Sequence, residues 1–253
     1  MSDVNAQPEF SLVLPCYNEE TCLAATAGDL LRAFAEKGVR AELVLVNNGS
    51  TDKTGAVIDQ LAARDAAVRK VTVGVNQGYG HGILEGLRAA RAPYVGFLCA
   101  DGQVMAHDVA HLCEVMRREG PATLVKVRRR FRKDGLLRKV QSIIYNGLMS
   151  VIFGPMRSLD VNGNPKILSR AAYEKMHLVS KDWFLDPEVM IKARWLGLRV
   201  IELNVQGVHR QGGKSHVRWH TCIEFMKNIA RYRLGGAARE WRRQVGAPSG
   251  ERS

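Results

Sequence analysis

Residues Val95–His107 read VGFLCADGQVMAH. A short apolar run, with the composition of a buried strand, stops abruptly at Asp101, and Gln103 follows two residues later. Open α/β sheets place ligand-binding groups just beyond the carboxyl ends of their strands, and a lone carboxylate delivered by a buried strand fits that arrangement. The same Asp101 could instead cap the helix that the pattern predicts over 107–118, a common use of aspartate. The flanking segments decide between the two.

Toward the N-terminus, strand and helix alternate with short connections. Phe10–Leu14 (FSLVL) is a strand stopped by Pro15, which has no N–H to give to a ladder. Leu23, Ala27, Leu30, Leu31 and Phe34 then recur at helical spacing, and Gly38 is placed to end that helix. Glu42–Val46 is a second strand; after NNGSTD, where Ser50, Thr51 or Asp52 can cap, a helix runs to Arg64. Val68–Val75 leads through NQGYGHG into another helix, and Pro93–Cys99 is the fourth strand. A fifth strand covers Ala122–Val127. The alternation predicts an α/β fold, Rossmann-like, with a mostly parallel central sheet and helices on both faces. Its polar, Gly- and Asn-rich turns all fall at the strand ends that line a ligand crevice.

Beyond Arg130 the period changes. Leu136, Leu137, Val140, Ile143, Ile144, Gly147, Leu148, Val151 and Ile152 mark an amphipathic helix, which either packs on the sheet or lies at a membrane interface. DVNGNPK (160–166) and DWFLDPE (182–188) follow, then a helix to Leu196 and a strand over Leu198–Val205. HRQGGKSHV precedes a helix over Thr221–Arg233, and a tail rich in Gly, Arg and Ser closes the chain. The reading is one domain over 1–235, its halves meeting near 127–128, with 236–253 a basic tail expected to lack order.

A chain of 253 residues can bury a full core without staples. Its five cysteines form no C-x-x-C pair, which argues against a disulfide framework or structural zinc. The opening MSDVNAQPEF lacks a secretion signal's basic start and apolar core. No apolar run reaches the roughly 18 residues of a membrane span. The expectation is a cytoplasmic protein, soluble or peripheral at the inner face of a membrane. The charge of +12 is concentrated: Lys126–Lys139 carries a net +7 and Lys227–Ser253 a net +5. Such asymmetry points to a polyanionic partner: phosphates, nucleic acid or an anionic membrane. No nucleic-acid-binding motif accompanies it, so no nucleic acid is expected.

Amides and carboxylates at strand ends can read a nucleobase edge and ribose hydroxyls, and glycines let backbone approach a phosphate or sugar. Gly78-x-Gly80-x-Gly82 misses the dinucleotide fingerprint, whose third glycine would fall at Ile83, and no Walker-type Lys-Ser/Thr follows a Gly-rich turn. Hydride transfer and P-loop hydrolysis both lose ground.

LPCYNEE, VNNGSTDKT, NQGYGHGILEGLRAA and ADGQ, in this order, resemble the family 2 glycosyltransferases of the GT-A fold, particularly the polyprenyl-phosphate sugar transferases. The resemblance covers Ser11 to Ser215. It implies nucleotide-sugar contacts from Pro15, Tyr17, Glu19, Asn48 and Asp52, and from the Asn76, Gly78 and Gly80 turn. Its D-x-D-x-Q metal motif maps onto Cys99, Asp101 and Gln103, so Asp101 and Gln103 are the implied ligands of Mg²⁺ or Mn²⁺. Cys99 and Asn48 stand where the family has Asp, which predicts weaker metal affinity and an uncharged base contact. Arg138-Lys139-x-x-Ser142, with Arg128 upstream, resembles the segment that holds a lipid phosphate, a use for which arginine's planar fork is suited. Asp160 and Gly163 fit a D-x-x-G segment, with Asn164-Pro165 in place of Phe-Arg. Arg210, Lys214 and Ser215 resemble a motif closing over the donor pyrophosphate, and Glu188 falls where the family has a carboxylate near the reaction centre.

The implied reaction is inverting transfer of a hexose from a UDP- or GDP-linked donor to a polyprenyl phosphate, at an anionic membrane surface. A phosphate acceptor is already anionic and needs no general base; a hydroxyl acceptor would need one, with Glu188 and Asp186 as the candidates, while the catalytic role of Asp101 is to anchor the metal. Transfer to a saccharide or other hydroxyl is the alternative. A fold that has lost activity is a further one, prompted by Cys99 and Asn48.

Overall fold

The computed structural model describes residues 7–129, 135–206, 227–233 and 235–245. Seven strands form one sheet: β1 (Phe10–Cys16), β2 (Ala41–Asn48), β3 (Val68–Val73), β4 (Tyr94–Phe97), β5 (Thr123–Arg129), β6 (Lys166–Ser169) and β7 (Arg199–Val205). Their spatial order is β3-β2-β1-β4-β6-β5-β7. All pairings are parallel except those of β6, which runs against both β4 and β5. The predicted mostly parallel sheet is therefore present, with one reversed strand inserted.

β1 and β2 carry Leu12, Val13, Leu14 and Leu43, Val44, Leu45, Val46, all fully buried. Continuous apolar runs of this kind are what strands covered on both faces require. One face is closed by α1 (Leu23–Glu36), α2 (Thr54–Arg64) and α4 (Ala106–Glu119). The other is closed by α3 (Tyr79–Ala89), α5 (Gly135–Phe153), α6 (Arg170–Met176) and α7 (Leu185–Trp195). Gly38, at φ +58° just past α1, takes the left-handed turn for which its lack of a Cβ suits it.

On α3, Gly86 lies against the sheet so closely that a Cβ would collide with Val13 Cγ1 and sit 2.8 Å from Val46 Cγ2. Replacing Gly86 by Ala should cost about 1–3 kcal/mol through overpacking. A urea midpoint equal to the wild type's would show that α3 can shift outward without strain.

Residues 227–233 form α8, within the helix expected over Thr221–Arg233. The tail expected to lack order from 236 differs, because Ala237–Val245 form α9. Trp241 is the physical reason. It is 3 % exposed, packs at a tilt against Trp195 with ring centroids 5.4 Å apart, and donates its indole N–H to Lys175 O at 3.0 Å. A single buried tryptophan outweighs the polar composition of its neighbours.

Candidate active site

The chain steps outward from β1 to β2 and β3, then returns through α3 to place β4 on the other side of β1. β1 and β4 thus flank the topological switch point, where open α/β sheets form their ligand crevice. The loops after β1 and β2 are laced together there. Asn18 N donates to Ser50 Oγ at 3.2 Å, Thr51 N to Asn18 Oδ1 at 2.9 Å, and Glu19 N to Thr54 Oγ1 at 2.9 Å. Asp52 accepts from Glu20 N through Oδ2 at 3.2 Å and from Thr54 N through Oδ1 at 2.9 Å. Burial pushes the Asp52 carboxyl up, but the Thr54 hydroxyl and the Thr54 and Glu20 amides outweigh it and hold the group below its ordinary range. Asp52 therefore fixes the loop that carries Pro15, half-buried Tyr17 and buried Glu19.

Asn48, 3 % exposed at the end of β2, donates Nδ2 to Gly78 O at 3.1 Å and to Asn76 Oδ1 at 3.4 Å. Its Oδ1 is a buried acceptor without a hydrogen-bond partner. Such an atom is costly unless something donates to it. Gly82 leaves the room Asn48 needs, since a Cβ there would sit 2.9 Å from Asn48 Cγ. Gly78 and Gly80 are small for a different reason from the one expected. The space beside them is filled by the chain's own backbone, with a Gly80 Cβ only 2.5 Å from Ser180 O and a Gly78 Cβ clashing with Lys181 O. His81 N completes this docking by donating to Lys181 O at 2.9 Å.

Asp101 lies four residues beyond β4 and is 8 % exposed. It does not cap α4, whose N-cap residue is Met105 without a side-chain hydrogen bond. One carboxylate oxygen, Oδ1, accepts from Gln103 N at 3.1 Å. Asp101 and Gln103 line a cavity of about 300 Å³, with Thr26, Asp29 and His107 from α1 and α4 and Asn164 from the loop before β6. Among the described residues no group of three or more His, Cys, Asp or Glu side chains is arranged to hold a metal. One carboxylate and one amide are nevertheless hard oxygen donors. They fit Mg²⁺ or Mn²⁺ if phosphate oxygens and waters were to complete the shell.

The other two acidic residues lie apart from this cavity. Glu188 is fully buried, and its carboxylate accepts from Val179 N at 3.2 Å, Ser180 N at 2.8 Å and Lys192 Nζ at 2.5 Å. It anchors the loop that docks onto α3. Burial lowers the Lys192 pKa while Glu188 raises it, and the net shift is down. Asp186, 3 % exposed, is ion-paired with Lys166 and accepts from Asn164 Nδ2 at 3.2 Å. Asn164 stands between Asp186 and the cavity, a position that sequence reading did not single out. Tyr79 and Trp183 were missed as well: their rings stack at 4.3 Å, and the Tyr79 hydroxyl accepts from Asn164 Nδ2 at 2.9 Å. The one available signal was an Asn-Pro pair in a motif that otherwise resembled the family.

Arg128 is half-buried near the carboxyl end of β5, on the same edge of the sheet as Asp101. α5 begins beyond that end, and Arg138 and Ser142 belong to its first turns. Arg210, Lys214 and Ser215 lie outside the described residues.

The family model for Glycosyl transferase family 2 matches residues 11–183, and the chain belongs to that family. It is an enzyme of the glycosyltransferase class with a GT-A-like fold. An uncharacterized glycosyltransferase of Mycobacterium tuberculosis (strain ATCC 25618 / H37Rv) is 34 % identical over 82 % of this chain and 88 % of its own. A dolichyl-phosphate beta-glucosyltransferase of Trichomonas vaginalis is 29 % identical over 82 % of this chain and 68 % of its own. An undecaprenyl-phosphate 4-deoxy-4-formamido-L-arabinose transferase of Edwardsiella ictaluri is 28 % identical over 90 % and 69 %. Among solved structures, glucosyl-3-phosphoglycerate synthase from Mycobacterium tuberculosis with Mn²⁺, UDP and glucosyl-3-phosphoglycerate has a TM-score of 0.65 at 19 % identity, covering 98 % of this chain and 83 % of that one.

Proposed function

We propose that this family 2 glycosyltransferase moves a hexose, with inversion, from a UDP- or GDP-linked donor to a polyprenyl phosphate at a membrane surface. The observation that carries the acceptor is the state of Asp186 and Glu188. A hydroxyl acceptor needs a carboxylate to take its proton, and both are sealed in buried ion pairs. A phosphate nucleophile needs no base. Its oxygen forms the bond to the anomeric carbon as the bond to the nucleoside diphosphate breaks, and the task left to the protein is alignment and charge neutralisation. Two relatives whose names specify lipid-phosphate acceptors support the same reading.

In this account Asn48 Oδ1 takes the N–H of a nucleobase edge, with Pro15, Tyr17, Glu19 and Asn76 around the nucleoside. Asp101 and Gln103 would hold a divalent cation, whose chemistry is to neutralise charge on the leaving diphosphate. Arg210, Lys214 and Ser215 assist at the pyrophosphate, and Arg128, Arg138 and Ser142 receive the acceptor phosphate. No helix among the described residues is long and apolar enough to cross a membrane. Yet α5 leaves Ile144 64 % and Val151 83 % exposed, and the basic Lys126–Lys139 segment precedes them in the sequence. Apolar side chains joined to cations are what an interfacial helix presents to anionic lipid.

The test is nucleoside diphosphate release from UDP- and GDP-hexoses with Mn²⁺, comparing vesicles containing polyprenyl phosphate, soluble phosphoglycerate and no acceptor. Only polyprenyl phosphate should stimulate release, and Arg138→Ala should reduce that stimulation by about 10- to 100-fold, the loss of one charge-assisted contact. Stimulation by phosphoglycerate or a hydroxyl sugar alone would overturn the acceptor.

A further inference from the structure

The wall of the Asp101 cavity formed by Asn164 is unusually well determined. Lys166 Nζ, which can only donate, approaches Asn164 Oδ1 at 3.2 Å. The Asp186 carboxylate, which accepts when ionised, takes a hydrogen bond from Asn164 Nδ2 at 3.2 Å, and the Tyr79 hydroxyl takes the other at 2.9 Å. These partners fix which way the amide faces, because a flipped amide would set donor against donor and acceptor against acceptor. Both Nδ2 hydrogens are used, so the remaining capacity of this side chain is the second lone pair of Oδ1. The support is rigid: Lys166 is fully buried, Asp186 is 3 % exposed and Asn164 is 9 % exposed. The Tyr79–Trp183 stack buttresses the tyrosine from behind.

The cavity itself disfavours an anion. Asp29, Glu36 and Asp101 line it against Arg32, and Arg32 is already paired with Asp29 at 3.2 Å. Away from Asp101 and Gln103, which would hold a cation and with it the diphosphate, a neutral, hydroxyl-bearing group suits these walls better than a phosphate. Resting on the glycosyltransferase reading above, we infer that the hexose of the donor occupies this cavity and that one of its hydroxyls donates to Asn164 Oδ1. Asn164 is then a specificity-determining residue, and Lys166, Asp186 and Tyr79 are positioning residues that act through it.

The experiment is a deoxy-sugar scan with the donor that the wild type consumes: UDP-glucose or GDP-mannose, each with its monodeoxy analogues. Removing the hydroxyl that meets Asn164 should lower kcat/KM by about 10- to 100-fold, since a buried acceptor is left without a donor. Asn164→Ala should lose a similar factor with the full sugar and nothing further with that one analogue, while its affinity for the nucleoside diphosphate stays at the wild-type value. A merely structural role predicts equal losses for every analogue and for the nucleotide alone. A flat response of the wild type across the deoxy series overturns the inference without any variant. Failure of the wild type to consume any nucleotide sugar would instead overturn the reading on which it rests.

Discussion

Asp101→Asn should reduce sugar transfer by about 10³-fold or more, the equivalent of several kcal/mol of lost charge stabilisation. The substitution keeps the shape of the side chain and keeps an Oδ1 to accept from Gln103 N, so the turn after β4 survives. What disappears is the negative charge, and Cys99 stands where the family's second carboxylate would compensate. Calorimetric titration with UDP or GDP should therefore show Mn²⁺-enhanced binding in the wild type and none in Asp101→Asn, with both proteins unfolding at similar temperatures. Retained transfer by the variant would reduce Asp101 to a turn-forming residue.

The second large effect is on stability. Glu188→Ala leaves the Lys192 ammonium buried without its carboxylate, with His177 O still accepting from it, and frees the amides of Val179 and Ser180. Breaking one side of a buried pair costs about 3–5 kcal/mol. The loop 177–182 should loosen with it, and with that loop the docking against Gly78 and Gly80. The double variant Glu188→Gln with Lys192→Met separates anchor from base. Glutamine keeps an oxygen for both amides, and methionine removes the stranded charge. Denaturant midpoints near the wild type's, with transfer reduced by no more than several-fold, are expected. A well-folded double variant that has lost transfer by orders of magnitude would show that Glu188 takes part in the chemistry.

The parallel half of the sheet was legible because β1 to β3 show apolar runs followed by polar or Gly-containing turns, and short β4 shows an apolar run leading to Asp101. Pro15, expected to stop the first strand, instead lies inside β1 and pairs with Val46. β6 was not legible. It has four residues, Lys166–Ser169, directly after a proline, and its identity as the one antiparallel strand depends on pairing with β4 and β5. Asp101 was legible as a strand-end carboxylate, and the structure removes its competing role as a cap for α4. The glycines of the NQGYGHG turn showed that something approaches closely. That the visitor at Gly78 and Gly80 is the backbone of 180–182 is a tertiary fact that no local pattern encodes. Asp186 and Glu188 were visible as carboxylates two residues apart, but their partners Lys166 and Lys192 come from the start of β6 and the last turn of α7. Asn164 looked like a departure from a family motif. Only the cavity, with Lys166, Asp186 and Tyr79 around the amide, gives it a use.

These contacts assign opposite duties to neighbouring carboxylates. Asp101 lines a cavity and accepts from Gln103 N through Oδ1, whereas Asp186 is bound to Lys166 and Asn164 and Glu188 to Lys192 and backbone amides. The proposal of a phosphate acceptor rests on that division, and the bond formed in the product tests it most directly. ³¹P NMR of the reaction between the nucleotide sugar consumed and a short-chain polyprenyl monophosphate should show the monoester signal replaced by a phosphodiester, with one nucleoside diphosphate released for each. Donor consumption with the monoester signal unchanged, and the sugar recovered free or on a hydroxyl, would contradict the account.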